Sequence, residues 1–300
     1  MKRGDKKMEK IIAGLVQMDS GPDMNENMLV QMDSGPDMNE NMRMAEQYVR
    51  EAAEQGAKLI LFPETAEYTG ADMPGHASAV PGYVSRRFSS LAKRYGVYLH
   101  CGSMTVRRHP GRPSNTSFLF GPDGETIAEY SKIHMFDVNI PGSVSYEESH
   151  EICPGNEIVL ADTALGLFGM SICYDIRFPE QYRLMASSGA DAFLIAADFT
   201  KATGERHWEA LLRTRAIENG CYVLAANQCG QKARFEAYGH SMIIAPDGEI
   251  LAEADDTPQV LIAELDPEVL ERTRNEIPSL ENRRDDLYRV SSGNVRIYEE

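Results

Sequence analysis

The chain has 300 residues, of which 42% are hydrophobic and 25% are charged, and its net charge at pH 7 is −16. This composition is typical of a globular protein with enough chain to bury a large core. The strong negative charge repels phosphate backbones, so we expect no binding to nucleic acid.

The cysteines and the N-terminus indicate the compartment. Five cysteines, with no CxxC pair among them, favour reduced thiols over a disulfide framework. The apolar run 11–18 is too short to cross a membrane, and it lacks the small-residue cleavage site of a secretory signal. We therefore expect a cytoplasmic protein without a membrane partner.

Apolar runs alternate with segments of helical period over the first 227 residues. Strands are predicted at 11–18, 58–62, 97–103, 165–173, 191–197 and 221–227. Helices are predicted at 38–55, 83–95, 179–188 and 205–219. Nearly continuous apolar strands separated by helices are typical of buried sheets in an α/β protein.

The first strand–helix connection contains a perfect tandem repeat, since LVQMDSGPDMNENM fills residues 15–28 and again 29–42. Only the first copy follows the apolar residues 11–14. If the second copy formed the strand, residues 25–28 would bring a charge and two amides into the sheet, at a cost of several kcal/mol unless paired. The strand is therefore predicted to use Leu15–Met18 of the first copy.

The helix continues only from the second copy, so we predict that it runs from Met38 onward. Asp37 and Glu40 have the spacing of a capping box. The segment from about residue 19 to residue 36 is predicted to be a long loop, with a frayed turn at 24–32. Loop closure entropy grows slowly with length, so the fold tolerates the extra residues. The loop either covers the functional site or is passive, and we favour the passive interpretation.

Two hairpins divide the chain into similar halves. Residues 117–131 and 241–255 both contain P-D-G-E-x-I/L-A-E, and Pro with Asp-Gly supplies the turn. Each hairpin follows a set of β–α units. We predict two sheets packed face to face with helices outside, a four-layer α-β-β-α sandwich.

Three polar residues end apolar strands or hairpins: Glu64, Lys132 and Cys173. Ligand sites in open α/β sheets form outside the carboxyl ends of the strands. Taken singly, a cysteine at a strand end is more often a small buried hydrophobic residue, and the glutamate and lysine are more often solvated.

Together the three residues form a chemically sensible set. A thiolate is a nucleophile, and a nearby ammonium lowers its pKa. A carboxylate can accept the thiol proton and pass it to a leaving amine. The lysine can stabilise an oxyanion, with the backbone N–H of Tyr174 as second donor. This set predicts acyl transfer from a carbon–nitrogen bond.

The blocks LFPE, SKIHMFD and GMSICYDIRFPE around these residues resemble the three signature blocks of the nitrilase superfamily, the carbon–nitrogen hydrolases, in chain order. The resemblance runs from about Ile11 to Tyr288. We take residues 1–288 as a single domain and 289–300 as a polar tail, either loose or crossing to a partner subunit.

The resemblance implies the α-β-β-α fold, with Cys173 as nucleophile, Glu64 as general base and acid, and Lys132 as oxyanion stabiliser. The family also has a second glutamate before the nucleophile strand, and SYEESHEICPGN matches that segment. Glu148 is the residue carried over, with its neighbour Glu147 as second choice. Two roles stay open for it, holding Lys132 in place and transferring protons.

The sequence CYDIRFPE resembles the ω-amidase and deaminated-glutathione amidase branch, because true nitrilases usually carry Cys-Trp-Glu and many carbamoylases carry Cys-Trp-Asp. In that branch Arg177, by position, would bind the carboxylate of a keto-acid amide in a bidentate pair. The alternative is an internal ion pair with Asp175 or Glu180.

The sequence thus predicts an amidohydrolase that cleaves a linear, non-peptide carbon–nitrogen bond of a small carboxylate-bearing amide through a cysteine thioester. We expect no metal or organic cofactor. The expected partners are the substrate and, by resemblance, further copies of the chain in a homodimer or higher homo-oligomer. An N-carbamoyl-amide hydrolase and a non-catalytic binding protein are the alternatives, and the lack of CxxC disfavours a thiol redox protein.

Overall fold

The computed structural model describes residues 8–17, 36–140 and 145–300. Its helices are α1 (Pro36–Glu54), α2 (Tyr83–Tyr95), α3 (Glu148–Glu151), α4 (Pro179–Ser187), α5 (Lys201–Asn219) and α6 (Pro267–Glu276). Its first nine strands are β1 (Ile11–Gln17), β2 (Leu59–Leu61), β3 (Tyr98–His100), β4 (Met104–Val106), β5 (Ser114–Phe120), β6 (Thr126–Ser131), β7 (Asp137–Asn139), β8 (Ser145–Glu147) and β9 (Ile158–Asp162). The other strands are β10 (Leu167–Ile172), β11 (Ala192–Ala197), β12 (Tyr222–Asn227), β13 (Cys229–Gln231), β14 (Glu236–Tyr238), β15 (Met242–Ile244), β16 (Ile250–Glu253), β17 (Gln259–Leu265) and β18 (Val295–Glu299).

Two seven-stranded sheets organise the molecule. The first sheet has the order β17-β1-β2-β3-β5-β4, with β6 also paired to β5. The second sheet has the order β16-β15-β12-β11-β10-β9-β18. In both sheets the central strands run parallel, and antiparallel strands flank them. The two predicted hairpins are β5–β6 and β15–β16, one in each sheet.

The alternation of side chains along β1 shows how the layers stack. Leu15 belongs to a core cluster that contains residues of both sheets, such as Leu194 of β11. Val16 points to the opposite face and packs in a second cluster with Met42 and Phe88 of α1 and α2. Successive strand residues face opposite sides of a sheet, so this pattern places one sheet face inside and the helices outside. The predicted α-β-β-α sandwich is confirmed.

As predicted, the first copy of the repeat supplies the end of β1 and the second copy supplies the start of α1. Leu15 to Gln17 of the first copy complete β1, and α1 includes the residues from Met38 onward. The helix nevertheless begins at Pro36, which suits the first helical turn because proline lacks an N–H. Asp37 therefore lies inside the helix, and its predicted place in a capping box was wrong. The loop predicted from about residue 19 to residue 36, with its frayed turn at 24–32, lies outside the described residues except for Pro36, where α1 begins.

Gln17 anchors the end of β1 to the second half of the chain. Its side-chain N–H groups donate to the carbonyls of Asp255 and Thr257 at 2.9 and 2.7 Å. Its Oε1 accepts the backbone N–H of Ser241 at 2.9 Å. A buried amide whose donors and acceptor are all used stabilises one register of β1 against the alternatives.

The C-terminal tail is part of the second sheet. Val295–Glu299 forms β18, which runs parallel to β9 from Ile158 to Asp162. The prediction of a loose tail is wrong for these residues, because the alternating sequence VRIYE pairs with an available strand edge. No helix in the described part of the chain is long and apolar enough to cross a membrane.

Candidate active site

Four of the predicted residues meet in one cavity. Glu64 follows β2, Lys132 directly follows β6, Cys173 directly follows β10, and Glu148 is the first residue of α3. All four are buried. The strand ends of both sheets therefore bring together residues that lie up to 109 positions apart in the sequence.

Lys132 lies between two carboxylates. Its Nζ donates to Oε1 of Glu64 at 3.1 Å and lies 2.9 Å from Oε2 of Glu148. Burial alone would lower the pKa of Lys132, but the negative charges of Glu148 and Glu64 raise it well above its ordinary value. The lysine is therefore a permanent cation inside the cavity.

Glu64 is fixed through both carboxylate oxygens. Oε1 accepts the side-chain amide of Asn115 at 2.7 Å, and Oε2 accepts the backbone N–H of Asp198 at 2.9 Å. Its backbone carbonyl accepts the amide of Gln228 at 2.9 Å. These bonds leave Glu64 little rotational freedom, so its carboxylate is held in one orientation.

Glu148 binds Lys132 from the other side. Its Oε2 also accepts the backbone N–H of Phe136 at 2.7 Å, and burial raises the pKa of this carboxyl above its ordinary value. Glu147, the second choice, is exposed and pairs with His150 at 3.0 Å. Of the two neighbours, only Glu148 reaches into the cavity.

Cys173 occupies a tight turn between β10 and a short 3-10 helix at Cys173–Arg177. Its φ of 46° lies in the left-handed region, which non-glycine residues rarely adopt and which is often found at functional sites. Burial and the charge of Glu64 raise the pKa of the thiol well above its ordinary value, although Lys132 opposes the shift. The expected lowering by the lysine is therefore outweighed, and the thiol is protonated at neutral pH.

Charged and aromatic side chains both line the cavity. The charged residues described above line it together with Asn115. The aromatic side chains of the lining are those of Phe136, Tyr146, Tyr174, Phe199 and Phe235. Two cations, Lys232 and Arg234, belong to the turn between β13 and β14 and also line it.

Tyr174 and Arg177 have different positions relative to this cavity. Tyr174 lines it, and its ring packs edge-on against Phe136 at 5.2 Å. Arg177 stands behind the aromatic wall, with its guanidinium 5.8 Å from the ring centre of Tyr174 and 5.1 Å from that of Phe199. Within the described residues no carboxylate lies in ion-pair distance of Arg177, so the alternative pairing inside the chain is not observed.

Two residues that hold the site were not singled out from the sequence. Asn115 is a buried amide in β5. Asp175 is fully buried and accepts hydrogen bonds from three other residues. The sequence suggests Asp175 only as an ion-pair partner of Arg177, and no local pattern reveals the distant partners of either side chain.

The sequence has clear relatives. A carbon–nitrogen hydrolase family model matches residues 28–275, so the match begins within the repeat. A deaminated glutathione amidase of Synechocystis is 39% identical over 283 residues, which cover 92% of this chain and 99% of that protein. The omega-amidase NIT2 of Homo sapiens is 37% identical over 246 residues, covering 81% of this chain and 89% of its own.

Solved structures share the fold. The C. elegans NitFhit protein superposes with a TM-score of 0.83 at 31% identity, covering 95% of this chain and 67% of that chain. Saccharomyces cerevisiae Nit3, a member of branch 10 of the nitrilase superfamily, gives a TM-score of 0.81 at 31% identity, covering 94% of this chain and all of its own. The chain belongs to the carbon–nitrogen hydrolases of the nitrilase superfamily, and it is a hydrolase of carbon–nitrogen bonds other than peptide bonds.

Proposed function

We propose that the protein hydrolyses the terminal amide of a small carboxylate-bearing compound through a thioester on Cys173. The observation that carries the proposal is the Lys132 ammonium, which lies between the carboxylates of Glu64 and Glu148 beside the thiol. A fixed cation, a fixed carboxylate and a thiol in one buried cavity are the groups that acyl transfer requires.

The first half-reaction forms the acyl-enzyme. Because the resting thiol of Cys173 is protonated, Glu64 takes its proton as Sγ attacks the amide carbonyl carbon. The carbonyl oxygen becomes an oxyanion, which the ammonium of Lys132 and the backbone N–H of Tyr174 stabilise. The carbon–nitrogen bond then breaks, Glu64 gives its proton to the nitrogen, and ammonia leaves.

The second half-reaction releases the acid. Glu64, again ionised, takes a proton from a water molecule that attacks the thioester carbon. The carbon–sulfur bond breaks, the proton returns to the sulfur of Cys173, and the carboxylic acid leaves. In this scheme Glu148 is a positioning residue, because it keeps the Lys132 ammonium directed at the oxyanion without touching the reacting atoms.

Charge and size define the substrate class. The aromatic side chains of the lining suit a short carbon chain, and the cation Lys232 of the same lining suits a carboxylate. Arg234 also lines the cavity, where it pairs with Glu151 at 2.9 Å. Arg177 lies one ring layer behind, within reach of the same region through Tyr174 and Phe199. The relatives named omega-amidase and deaminated glutathione amidase support a monoamide of a dicarboxylic or keto acid.

A substrate panel scored by ammonia release tests the proposal. We expect α-ketoglutaramate or succinamate to be hydrolysed far faster than butyramide, which has no carboxylate, and faster than an N-carbamoyl amino acid. The Cys173→Ala variant should be inactive on all of them. Ammonia release that survives this substitution contradicts the mechanism, and preference for the carbamoyl compound favours the alternative hydrolase.

We also propose that the protein acts as a cytoplasmic homodimer or higher homo-oligomer. All five cysteines are free, which suits a reducing compartment, and a homo-oligomer follows from the family resemblance. Sedimentation equilibrium of the full chain tests the assembly. A mass that stays at 33.4 kDa over the accessible concentration range contradicts it.

A further inference from the structure

Asp175 is a fully buried carboxylate in the turn that follows the nucleophile. Its Oδ2 accepts the hydroxyl of Tyr130 at 2.5 Å and the backbone N–H of Ile172 at 2.9 Å. Its Oδ1 accepts the backbone N–H of His134 at 3.1 Å and binds Nδ1 of the same imidazole at 2.8 Å. A carboxylate oxygen only accepts, so this last contact places a proton on Nδ1.

These donors come from two separate parts of the active site. Tyr130 and His134 lie two residues before and two residues after Lys132, and Ile172 directly precedes Cys173. One side chain thus ties the segment of the lysine to the turn of the nucleophile. We propose that Asp175 is a positioning residue that sets the placement of Cys173 relative to Lys132 and Glu64. The consequence for catalysis rests on the proposed amidase function.

The surroundings leave the carboxylate little freedom to do anything else. The Tyr130 hydroxyl accepts the amide of Gln181 at 3.1 Å, which fixes its own position. The ring of His134 stacks on Phe178 with 3.6 Å between ring centres. Tyr130 and His134, two of the three residues that donate to Asp175, are therefore each held by a second contact.

The chemistry of the network requires a carboxylate. Four donors converge on two oxygens, and an asparagine offers one acceptor oxygen and an NH₂ group that donates. Asp175→Asn therefore retains at most two of the four bonds and brings donors against donors. The φ of Cys173, 46°, is an unfavourable backbone angle for a non-glycine residue, so surrounding contacts must hold it. The hydrogen bonds of Asp175 are contacts of this kind, and they keep Sγ of Cys173 aligned with Lys132 and Glu64.

The effect should appear in turnover rather than in substrate binding. The residues that donate to Asp175 are Tyr130, His134 and Ile172, and the lining of the cavity is formed by other residues. We expect Asp175→Asn to lower kcat by about 100-fold and to change KM by less than about threefold, as a displaced reacting group does.

Asp191→Asn is the matched control. Asp191 is also a buried aspartate, and it accepts the N–H of Leu167 at 2.9 Å, but it does so at the start of β10 rather than at its end. This variant should lose thermal stability and keep its kcat. An equal loss of kcat in both variants would show a general packing effect and overturn the proposal, as would an unchanged kcat in Asp175→Asn.

Two further measurements test the proposal if Asp175→Asn does not fold or if no substrate is found. Tyr130→Phe removes one of the four hydrogen bonds to Asp175 and keeps the aromatic ring, so kcat should fall by about fivefold. If Asp175→Asn does not fold, an unchanged kcat in Tyr130→Phe overturns the proposal.

Alkylation of Cys173 by iodoacetamide, followed on its peptide by mass spectrometry, needs no substrate. It should be at least about tenfold slower in Asp175→Asn, since the thiol is no longer aligned with Glu64. An unchanged rate overturns the positioning role even if no amide proves to be a substrate.

Discussion

At the scale of single residues, the site depends on one buried cation with two carboxylate partners. Glu64 and Glu148 both approach the Lys132 ammonium within 3.1 Å, in a region with little access to solvent. Removing one member of a buried ion cluster leaves uncompensated charge, which costs about 3–5 kcal/mol. The same ammonium is the proposed oxyanion donor, so stability and catalysis share this residue.

Lys132→Met tests both consequences. We expect kcat to fall at least about 100-fold, because an oxyanion donor is lost, and the melting temperature to fall because two carboxylates then face each other. Ammonia release and thermal unfolding measure the two effects. Lys201→Met, which removes an exposed ion pair with Glu236, is the control and should change neither by much. A Lys132→Met enzyme with normal kcat contradicts the proposed mechanism.

Glu67 is a buried acid outside the proposed mechanism. It accepts the N–H of Thr105 at 2.9 Å, and burial raises its pKa from 4.5 to about 8. Between these values the folded protein keeps a proton that the unfolded chain has lost. The contribution of Glu67 to stability is therefore present at low pH and is lost as the pH rises towards 8, at up to about 1.4 kcal/mol per pH unit.

Glu67→Gln should remove this pH dependence, because glutamine has the same shape and stays neutral. We expect the melting temperature of Glu67→Gln, relative to that of the parent protein, to increase as the pH rises from about 5 to about 8. Glu125→Gln, at an exposed hairpin position, should show no such trend. A difference between Glu67→Gln and the parent that does not vary with pH contradicts the assigned charge state.

At the scale of elements, the last strand completes the second sheet. Beyond the ladder of β18 with β9, the carboxylate of Glu300 accepts the hydroxyl of Tyr98 at 2.8 Å and the N–H of Ala164 at 2.8 Å. Deleting residues 294–300 exposes the edge of β9. We expect the melting temperature to fall by roughly 5 °C and light scattering to increase on heating. An unchanged melting temperature would show that the strand does not contribute to stability.

The repeat belongs to the same scale. Deleting residues 15–28 or 29–42 gives one and the same chain, in which Met-Asp-Ser-Gly connects the residues of β1 to those of α1. A connection of this length is common in α/β units. We expect the shortened enzyme to have the same substrate profile and kcat/KM as the full chain. A changed profile in the substrate panel would instead assign the repeat a role in covering the site.

At the scale of the whole molecule, the parts predictable from the sequence are those encoded locally. Strand and helix periods predicted the central strands of both sheets and the helices between them. Glu64, Lys132 and Cys173 could be singled out because each follows an apolar strand or hairpin, where the fold brings polar residues to a common edge. Family resemblance added Glu148, which no local period marks.

The remaining features depend on contacts between distant parts of the chain. β17 pairs with β1, which lies some 250 residues away in the sequence, and no feature of the β17 sequence predicts this pairing. The bonds of Asn115 to Glu64 and of Asp175 to Tyr130 likewise join a strand to a turn that is distant in the sequence. The position of Arg177 behind Tyr174 depends on the 3-10 turn, which strand and helix periods do not predict.

The central claim is that hydrolysis proceeds through an acyl group on Cys173, and mass spectrometry of a quenched reaction tests it most directly. The enzyme is mixed with succinamate, stopped in acid during turnover, digested and analysed. We predict that the peptide containing Cys173 gains the mass of one succinyl group, and that this gain is absent in Cys173→Ala. Active turnover in which this peptide stays unmodified, or an acyl group found on another residue, would contradict it.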